Sequence, residues 1–116
     1  MPAHDLALLT AAAHAAGDIA MRHFRNDPRV WEKPGQGPVT EADIAVNDML
    51  LGRLRSARPG YGWLSEETPD TDKRLDCEHL FLIDPIDGTS AFIAGDSNFS
   101  HSLAIARNGV VTAAVV

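Results

Sequence analysis

Apolar residues recur along the first part of the chain at the spacing of one helical face. Positions three, four or seven residues apart lie on the same side of a helix with 3.6 residues per turn. The pattern predicts a first helix that packs through this stripe and ends at Asn26-Asp27-Pro28, because proline cannot continue a helix. The stripe consists of Leu6, Leu9, Ala13, Ala16, Ala20 and Phe24.

A second helical pattern begins at Thr40. The segment Thr40-Glu41-Ala42-Asp43 resembles a capping box, in which two side chains satisfy free backbone amides at a helix start. Between the two helices, residues 31–39 contain two prolines and two glycines, and this composition predicts a loop. The apolar face of the second helix continues through Val46, Leu50, Leu54 and Ala57.

Beyond residue 60 the pattern becomes extended. Strands are predicted over residues 61–65, 79–83, 102–107 and 110–116, with a polar surface loop over 68–76. Asn108-Gly109, between the last two strands, is a strong hairpin signal. Two helices followed by about four strands predict an α+β fold. The last strand is apolar and has no polar tail, so we expect a sequence that is cut rather than finished.

Composition limits the class of protein. The 116 residues have room for one domain, and the net charge of −6 argues against a nucleic-acid polymer as the partner. Cys77 is the only cysteine, so no disulfide can form within the chain. The N-terminus lacks the features of a secretion signal, and no apolar stretch approaches the roughly 20 residues that span a bilayer. We therefore expect a cytoplasmic protein that does not bind a membrane.

The segment Asp84–Thr89 carries the strongest chemical signal in the chain. Its sequence, Asp-Pro-Ile-Asp-Gly-Thr, follows a strand predicted to be buried. Pro85 stiffens the backbone around Asp84, and Gly88 permits a tight or left-handed turn. Free N–H groups near Thr89, where a helical turn is predicted to start, can hold phosphate oxygens.

Asp84 and Asp87 are close enough in sequence to repel each other unless a cation neutralises them. Oxygen ligands without histidine or cysteine favour Mg²⁺. Glu66 and Glu67 end the preceding strand, so pairing of the two strands would bring a glutamate and two aspartates to one site, as in two-metal phosphoryl chemistry. The alternative is that these acids are solvated strand ends around a proline-aspartate-glycine turn.

Spacing excludes two other motifs. The haloacid dehalogenase fingerprint D-x-D-G-T requires an aspartate two residues before Asp87, where the chain has Pro85. The calcium loop D-x-[DN]-x-[DN]-G requires a polar ligand two residues after Asp84, where the chain has Ile86. The turn fits neither class.

Four elements in order along the chain resemble the inositol monophosphatase family. They are Lys33 in a loop rich in proline and glycine, Val39–Asp43 opening the second helix, Ser65-Glu66-Glu67 at a strand end, and the hexapeptide Asp84–Thr89. The resemblance covers essentially the whole chain. It implies that residues 1–116 are an N-terminal metal- and phosphate-binding domain in which two helices pack on a mostly antiparallel sheet. This domain would be the N-terminal part of an αβαβα layered sandwich.

The resemblance also implies a role for each site residue. The metal ligands would be Glu66, Asp84, Asp87 and the backbone carbonyl of Ile86. The catalytic residues would be Glu66 and Thr89, which activate the attacking water, and Asp43, which accepts a hydrogen bond from Thr89. The phosphate contacts would come from Gly88, Thr89, Ser90 and Lys33.

Three of these positions have structural alternatives. Asp43 would serve only in the capping box, Lys33 would be an ordinary solvated lysine, and Glu67 would be a supporting or solvated acid. The five histidines lack metal-ligand spacing.

The implied activity is Mg²⁺-dependent hydrolysis of a small phosphate monoester by metal-activated water. The complete enzyme would hold two or three ions, form a homodimer and be inhibited by lithium. Its partner would be a small phosphorylated metabolite: an inositol phosphate, a 3′(2′),5′-bisphosphate nucleotide or histidinol phosphate. The segment Ser90–Gly95 departs from the Thr-Asn-Phe continuation of inositol-phosphate enzymes and favours the other two substrates.

One departure from the family concerns its second motif, a tryptophan-aspartate pair that supplies another metal ligand. This chain has no such pair, so we expect it to be inactive or nearly inactive alone. One alternative is a catalytically inactive domain that binds metal, phosphate or a partner, or associates with itself through an exposed sheet edge. Another is a metal or phosphate sensor without turnover.

Overall fold

The helices and strands of the protein follow the predicted order, except that two short strands lie between the first two helices. The computed structural model describes residues 2–35, 37–69 and 72–116. The helices in these ranges are α1 (Pro2–His23), α2 (Glu41–Ala57), α3 (Thr89–Ile93) and a 3₁₀-helix at Asp72–Asp76. The strands are β1 (Val30–Lys33), β2 (Gly37–Thr40), β3 (Gly62–Ser65), β4 (His79–Asp87), β5 (Ser100–Arg107) and β6 (Val110–Val115).

The main sheet has the strand order β3-β4-β5-β6. β3 and β4 are parallel, whereas β4 with β5 and β5 with β6 are antiparallel. Asn108 and Gly109 both have positive φ, at 49° and 84°, as a tight hairpin turn of matching twist requires. The predicted hairpin and the mostly antiparallel sheet are confirmed.

The two long helices cover one face of this sheet. Alternate strand residues point to that face, and they form one buried cluster with apolar residues of α1 and α2. The strands contribute Phe81, Ile83, Leu103, Ile105 and Ala113, and the helices contribute Leu9, Ala12, Ala16, Ala20, Val46, Leu50 and Leu54. The α+β fold is confirmed.

The predicted loop over residues 31–39 is wrong. β1 and β2 form a separate two-stranded antiparallel ribbon in which Glu32 pairs with Pro38 and Lys33 pairs with Gly37. Proline is excluded from central strands because it has no N–H group to donate to the ladder of hydrogen bonds. Both strands of this ribbon are edges, so Pro38 is tolerated.

The buried face of α1 is rotated slightly from the predicted stripe. Leu6 is 45% exposed, while Asp5 and Ala12 are buried. The apolar pattern could not predict burial of an aspartate. Asp5 lies in the interior because Arg58 and Tyr61 donate hydrogen bonds to it there. The helix itself and its end before Pro28 are confirmed.

Strand β4 is longer than predicted, since it continues through Asp84 to Asp87. The predicted surface loop over 68–76 contains the 3₁₀-helix, and residues 70 and 71 lie outside the described ranges. In the described part of the chain, no helix has both the length and the apolar character to cross a membrane.

A partly buried ion pair fastens α1 to the end of α2. The Asp5 carboxylate accepts hydrogen bonds from Arg58 Nε and from the Tyr61 hydroxyl, both at 2.9 Å. Asp5 is only 2% exposed. The Tyr61 ring stacks on His79 of β4 with centroids 4.5 Å apart. One carboxylate thus joins α1, α2 and the sheet.

We expect Asp5→Ala to lower the free energy of unfolding by about 2 kcal/mol, because it leaves Arg58 and the Tyr61 hydroxyl without their acceptor. Urea denaturation measures the change. Asp18→Ala, at an exposed position of the same helix, is the matched control and should change stability by less than about 0.5 kcal/mol. Equal effects of the two substitutions would contradict the role assigned to Asp5.

Tyr61 makes the stability of the fold depend on pH in the alkaline range. Burial, followed by the neighbouring Asp5 carboxylate, raises the pKa of the Tyr61 hydroxyl above its ordinary value. The unfolded chain therefore releases this proton at lower pH than the folded chain, so the contribution to stability is full below about pH 10 and falls as the pH rises further. Tyr61→Phe should remove this part of the alkaline loss, as thermal melts between pH 8 and 11 would show.

Candidate metal and phosphate site

Parallel pairing of β3 and β4 brings the predicted acids to one edge of the sheet. Ser65 at the end of β3 is in register with Ile83, so Glu66 follows β3 at the same level as Asp84 on β4. The sequence predicted that Glu66, Asp84 and Asp87 would meet if the two strands were neighbours, and they are. The cause is the strand order, which no local pattern specifies.

A β-bulge brings Asp84 and Asp87 to the same side. In a regular strand, residues three apart point to opposite faces. Here Asp84 pairs with Ser102 and Asp87 pairs with Ser100, so two residues of β4 lie opposite a single residue of β5. The extra residue turns the strand by one position. Both carboxylates consequently border one cavity.

Gly88 follows the bulge in a left-handed conformation, with φ of 92°. A Cβ atom at this position would lie 2.8 Å from the backbone oxygen of Asn98. Both the backbone angle and the space therefore require glycine. The turn that the sequence predicted at Gly88 is confirmed, and α3 begins directly after it at Thr89.

β2, the turn after β3, the end of β4 and the start of α3 border an open cavity of about 260 Å³. Every predicted site residue borders it except Asp43, which lies beneath Thr89 and is 2% exposed. The lining residues are Lys33, Pro38, Val39, Glu66, Glu67, Asp84, Ile86, Asp87, Gly88, Thr89 and Ser90. The structure thus brings the set together, while the role of each member stays a prediction.

The cavity has an excess of negative charge. Burial, followed by the charges of Glu66 and Asp87 and smaller effects from Asp43 and Glu67, raises the pKa of Asp84 to about 6. Burial also raises the pKa of Glu67, against the opposing effect of Lys33. The carboxylates therefore destabilise one another's charged forms, as expected where a cation is to be bound.

The donors in this cavity suit Mg²⁺. They are carboxylate and carbonyl oxygens, which hard divalent cations prefer to nitrogen or sulfur. Among the residues that the structure describes, no group of three or more acidic, histidine or cysteine side chains is already arranged to hold an ion. Mutual repulsion of the carboxylates is consistent with such an open arrangement. The fit to Mg²⁺ therefore rests on the chemistry of the donor atoms and not on a preformed geometry.

Asp43 connects the start of α2 to the turn after β4. Its Oδ2 accepts hydrogen bonds from the backbone N of Thr40 at 2.9 Å and from Thr40 Oγ1 at 2.6 Å. Its Oδ1 accepts a hydrogen bond from Thr89 Oγ1 at 2.9 Å. The capping box and the contact to Thr89 are thus both present, and the two alternatives for Asp43 are compatible.

Lys33 is not an ordinary solvated lysine. Its Nζ donates a hydrogen bond to the backbone carbonyl of Glu66. This contact fastens the β1–β2 ribbon to the turn that carries Glu66 and leaves Lys33 at the cavity wall. The ribbon is therefore part of the site.

Sequence reasoning missed Asn47, which fixes the turn after β3. Its side chain accepts a hydrogen bond from Ser65 Oγ at 2.6 Å and donates one to Thr68 Oγ1 at 3.0 Å. Asn47 is only 3% exposed and lies one helical turn beyond Asp43. A polar residue beside the apolar Val46, four positions after Asp43, was the available signal.

The aromatic residue of the segment Ser90–Gly95 serves packing. Phe92 is 1% exposed and contacts the rings of Phe24 and Phe99, with centroids 5.5 Å and 4.9 Å away. Phe92 therefore does not face the cavity, and its presence gives little information about the substrate.

The fold and the acid-lined cavity define an α+β protein with a candidate metal and phosphate site, and comparison with known proteins identifies its family. The sequence matches the inositol monophosphatase family over residues 2–116. The chain belongs to the inositol monophosphatase family.

Three known proteins illustrate the relationship. The chain is 34% identical to an inositol-1-monophosphatase of Mesorhizobium japonicum, over 96% of this chain and 42% of that protein. It is 35% identical to the 3′(2′),5′-bisphosphate nucleotidase CysQ of Salmonella typhimurium, over 90% of this chain and 44% of that protein. It superposes on the IMPase of Thermotoga maritima with a TM-score of 0.81 and 32% identity, covering 96% of this chain and 42% of that structure. The chain thus spans less than half the length of these relatives.

We expect Asn47→Ala to lower the free energy of unfolding by about 2 kcal/mol, because Ser65 and Thr68 each lose a hydrogen-bond partner. It should also speed hydrogen exchange at the Glu67 and Thr68 amides, which bond to the Ser65 hydroxyl and carbonyl. Asp48→Ala, at the exposed neighbouring position, is the control. Unchanged exchange at these amides in Asn47→Ala would contradict its positioning role.

Proposed function

We propose that this chain is the N-terminal, metal- and phosphate-binding part of an Mg²⁺-dependent phosphomonoesterase. The observation that carries the proposal is the excess of carboxylates around Asp84, directly beside the turn at Gly88. Family membership supports the reaction class. Under this proposal, Glu66, Asp84, Asp87 and the Ile86 carbonyl hold two or three ions in the complete protein.

Bound Mg²⁺ would compensate the charge of the phosphate and of the developing oxygen anion on the leaving group. The residues of the chain supply position and proton acceptance. Gly88 and Ser90, which are both exposed, border the volume in which the phosphate would lie, and so does Lys33 with its ammonium group. In the overall reaction, a water oxygen bonds to phosphorus, the phosphorus–oxygen ester bond breaks, and the leaving oxygen takes up a proton.

The hydroxyl of Thr89 is set to orient the attacking water. Its single proton is directed to Asp43 Oδ1 at 2.9 Å or to the Ile86 carbonyl at 3.2 Å. The oxygen therefore has lone pairs left to accept a hydrogen bond from a water molecule in the cavity. Glu66, which is exposed at the same cavity, is the carboxylate that accepts the proton of that water.

The substrate class is a small phosphate monoester. Relatives named inositol-1-monophosphatase and 3′(2′),5′-bisphosphate nucleotidase have nearly equal identity to this chain, at 34% and 35%. Inositol 1-phosphate, 3′-phosphoadenosine 5′-phosphate and histidinol phosphate are therefore the panel to test. For the complete protein, we propose a homodimer in the cytoplasm that is sensitive to lithium.

We also propose a second candidate function, which concerns the 116 residues on their own: they would bind Mg²⁺ or phosphate in the acid-lined cavity without turnover. Phosphate release from the three substrates separates the two candidates. Release by the 116-residue chain alone would overturn this second function.

Mg²⁺ should raise the melting temperature of the chain by about 5 °C at saturating concentrations. Asp87→Asn should abolish this rise but leave the melting temperature without Mg²⁺ equal or higher, because it removes a charge that repels Asp84. Scanning calorimetry measures both values.

The control variant is Asp18→Asn, which removes an exposed acid far along α1 and should keep the full Mg²⁺ effect. A parent chain whose melting temperature does not respond to Mg²⁺ would overturn the proposed metal site. An effect of Mg²⁺ that persists in Asp87→Asn would place the ion elsewhere.

A further inference from the structure

The β-bulge that aligns the two aspartates leaves the backbone carbonyl of Pro85 without a partner in the ladder of the sheet. Between the Asp84–Ser102 and Asp87–Ser100 pairs, the regular ladder of hydrogen bonds is interrupted. Pro85 lies in this interval, has no N–H group and is fully buried. A buried carbonyl at such a position needs a partner from outside the ladder.

His101 supplies that partner. It is the residue of β5 that lies opposite the bulge, and its Nδ1 is 2.6 Å from the Pro85 carbonyl oxygen. A carbonyl oxygen can only accept, so the proton of this bond is on Nδ1. The ring also packs edge-on against Phe99, with centroids 6.4 Å apart. The imidazole is thus held from one side and donates from the other.

We propose that His101 is a positioning residue for the carboxylate pair, acting through the Pro85 carbonyl to hold the bulge that turns Asp84 and Asp87 to one side. The proposal rests on the proposed function, since its main consequence is the affinity of the pair for Mg²⁺. His101 itself does not border the cavity in which the two carboxylates lie. Its effect is therefore on geometry rather than on the ion.

The hydrogen bond makes a specific prediction about replacements. Asparagine carries its amide nitrogen on Cγ, as histidine carries Nδ1, so His101→Asn can keep the donor at nearly the same distance from the backbone. Glutamine places its nitrogen one bond farther away, and leucine has no donor. If His101 only filled space, the effects of the three substitutions would not follow the position of the donor nitrogen.

The test is an Mg²⁺ titration by calorimetry on the 116-residue chain, with the parent, His101→Leu, His101→Asn and His101→Gln. We expect His101→Leu to weaken Mg²⁺ binding by roughly tenfold or more, as loss of a partner that orients metal ligands does. His101→Asn should recover most of the affinity and His101→Gln should not. His14→Gln, at an exposed position on α1, should bind Mg²⁺ like the parent.

A second readout tests the bulge without metal. Nuclear Overhauser contacts should show the Asp87–Ser100 pairing in the parent and His101→Asn and lose it in His101→Leu. If His101→Leu unfolds, the comparison of His101→Asn with His101→Gln decides by the same two measurements.

Two results would overturn the proposal. One is parental Mg²⁺ affinity in a folded variant that lacks the donor, and the other is an unchanged Asp87–Ser100 pairing in that variant. If the parent itself binds no Mg²⁺, the proposed function fails, and the pairing measurement alone then decides whether His101 holds the bulge.

Discussion

The carboxylate of Asp43 is the contact on which the geometry of the site depends. It closes the N-terminus of α2 through Thr40 and at the same time holds the Thr89 hydroxyl, 46 positions further along the chain. One helical turn later, Asn47 holds the turn after β3 through Ser65. A single face of α2 therefore fixes both halves of the cavity, and the buried apolar contacts of the helix with the sheet keep that face in place. Because these polar groups are buried, each requires its partner, which makes the arrangement specific.

The cavity combines rigid support with unfavourable charge. Burial and neighbouring acids raise the pKa of Asp84 to about 6. Such repulsion would loosen a mobile segment, but here a bulge, a left-handed glycine and a buried proline hold the backbone between Asp84 and Thr89. The fold therefore keeps acids together at a cost that a bound cation relieves. The contact of Lys33 with the Glu66 carbonyl adds a positive charge at the cavity wall and ties the β1–β2 ribbon to the same turn.

Packing and chemistry are distributed unevenly among the residues of the family motif. Asp84, Ile86, Asp87 and Gly88 border the cavity, whereas Pro85 does not border it and is fully buried. Phe92, four residues after Gly88, belongs to an aromatic cluster with Phe24 and Phe99 that anchors α3 to the end of α1. Length also matters: the chain spans 42% of the inositol-1-monophosphatase that it matches in Mesorhizobium japonicum.

The sequence by itself determined the helices, the Asn108-Gly109 hairpin, the capping box at Thr40 and the membership of Asp84–Thr89 in a family motif. These features depend on residues close together in the chain, where periodicity and local hydrogen bonding dominate. It did not reveal the β1–β2 ribbon, the burial of Asp5, the role of Asn47 or the bulge opposite His101. The ribbon pairs neighbouring segments, but it depends on Pro38 lying at an edge. The other three depend on partners distant in sequence: whether Arg58 reaches Asp5, whether Ser65 reaches Asn47, and which strand faces Pro85. Only the tertiary structure decides such questions, because the energy of a buried polar group is set by what surrounds it.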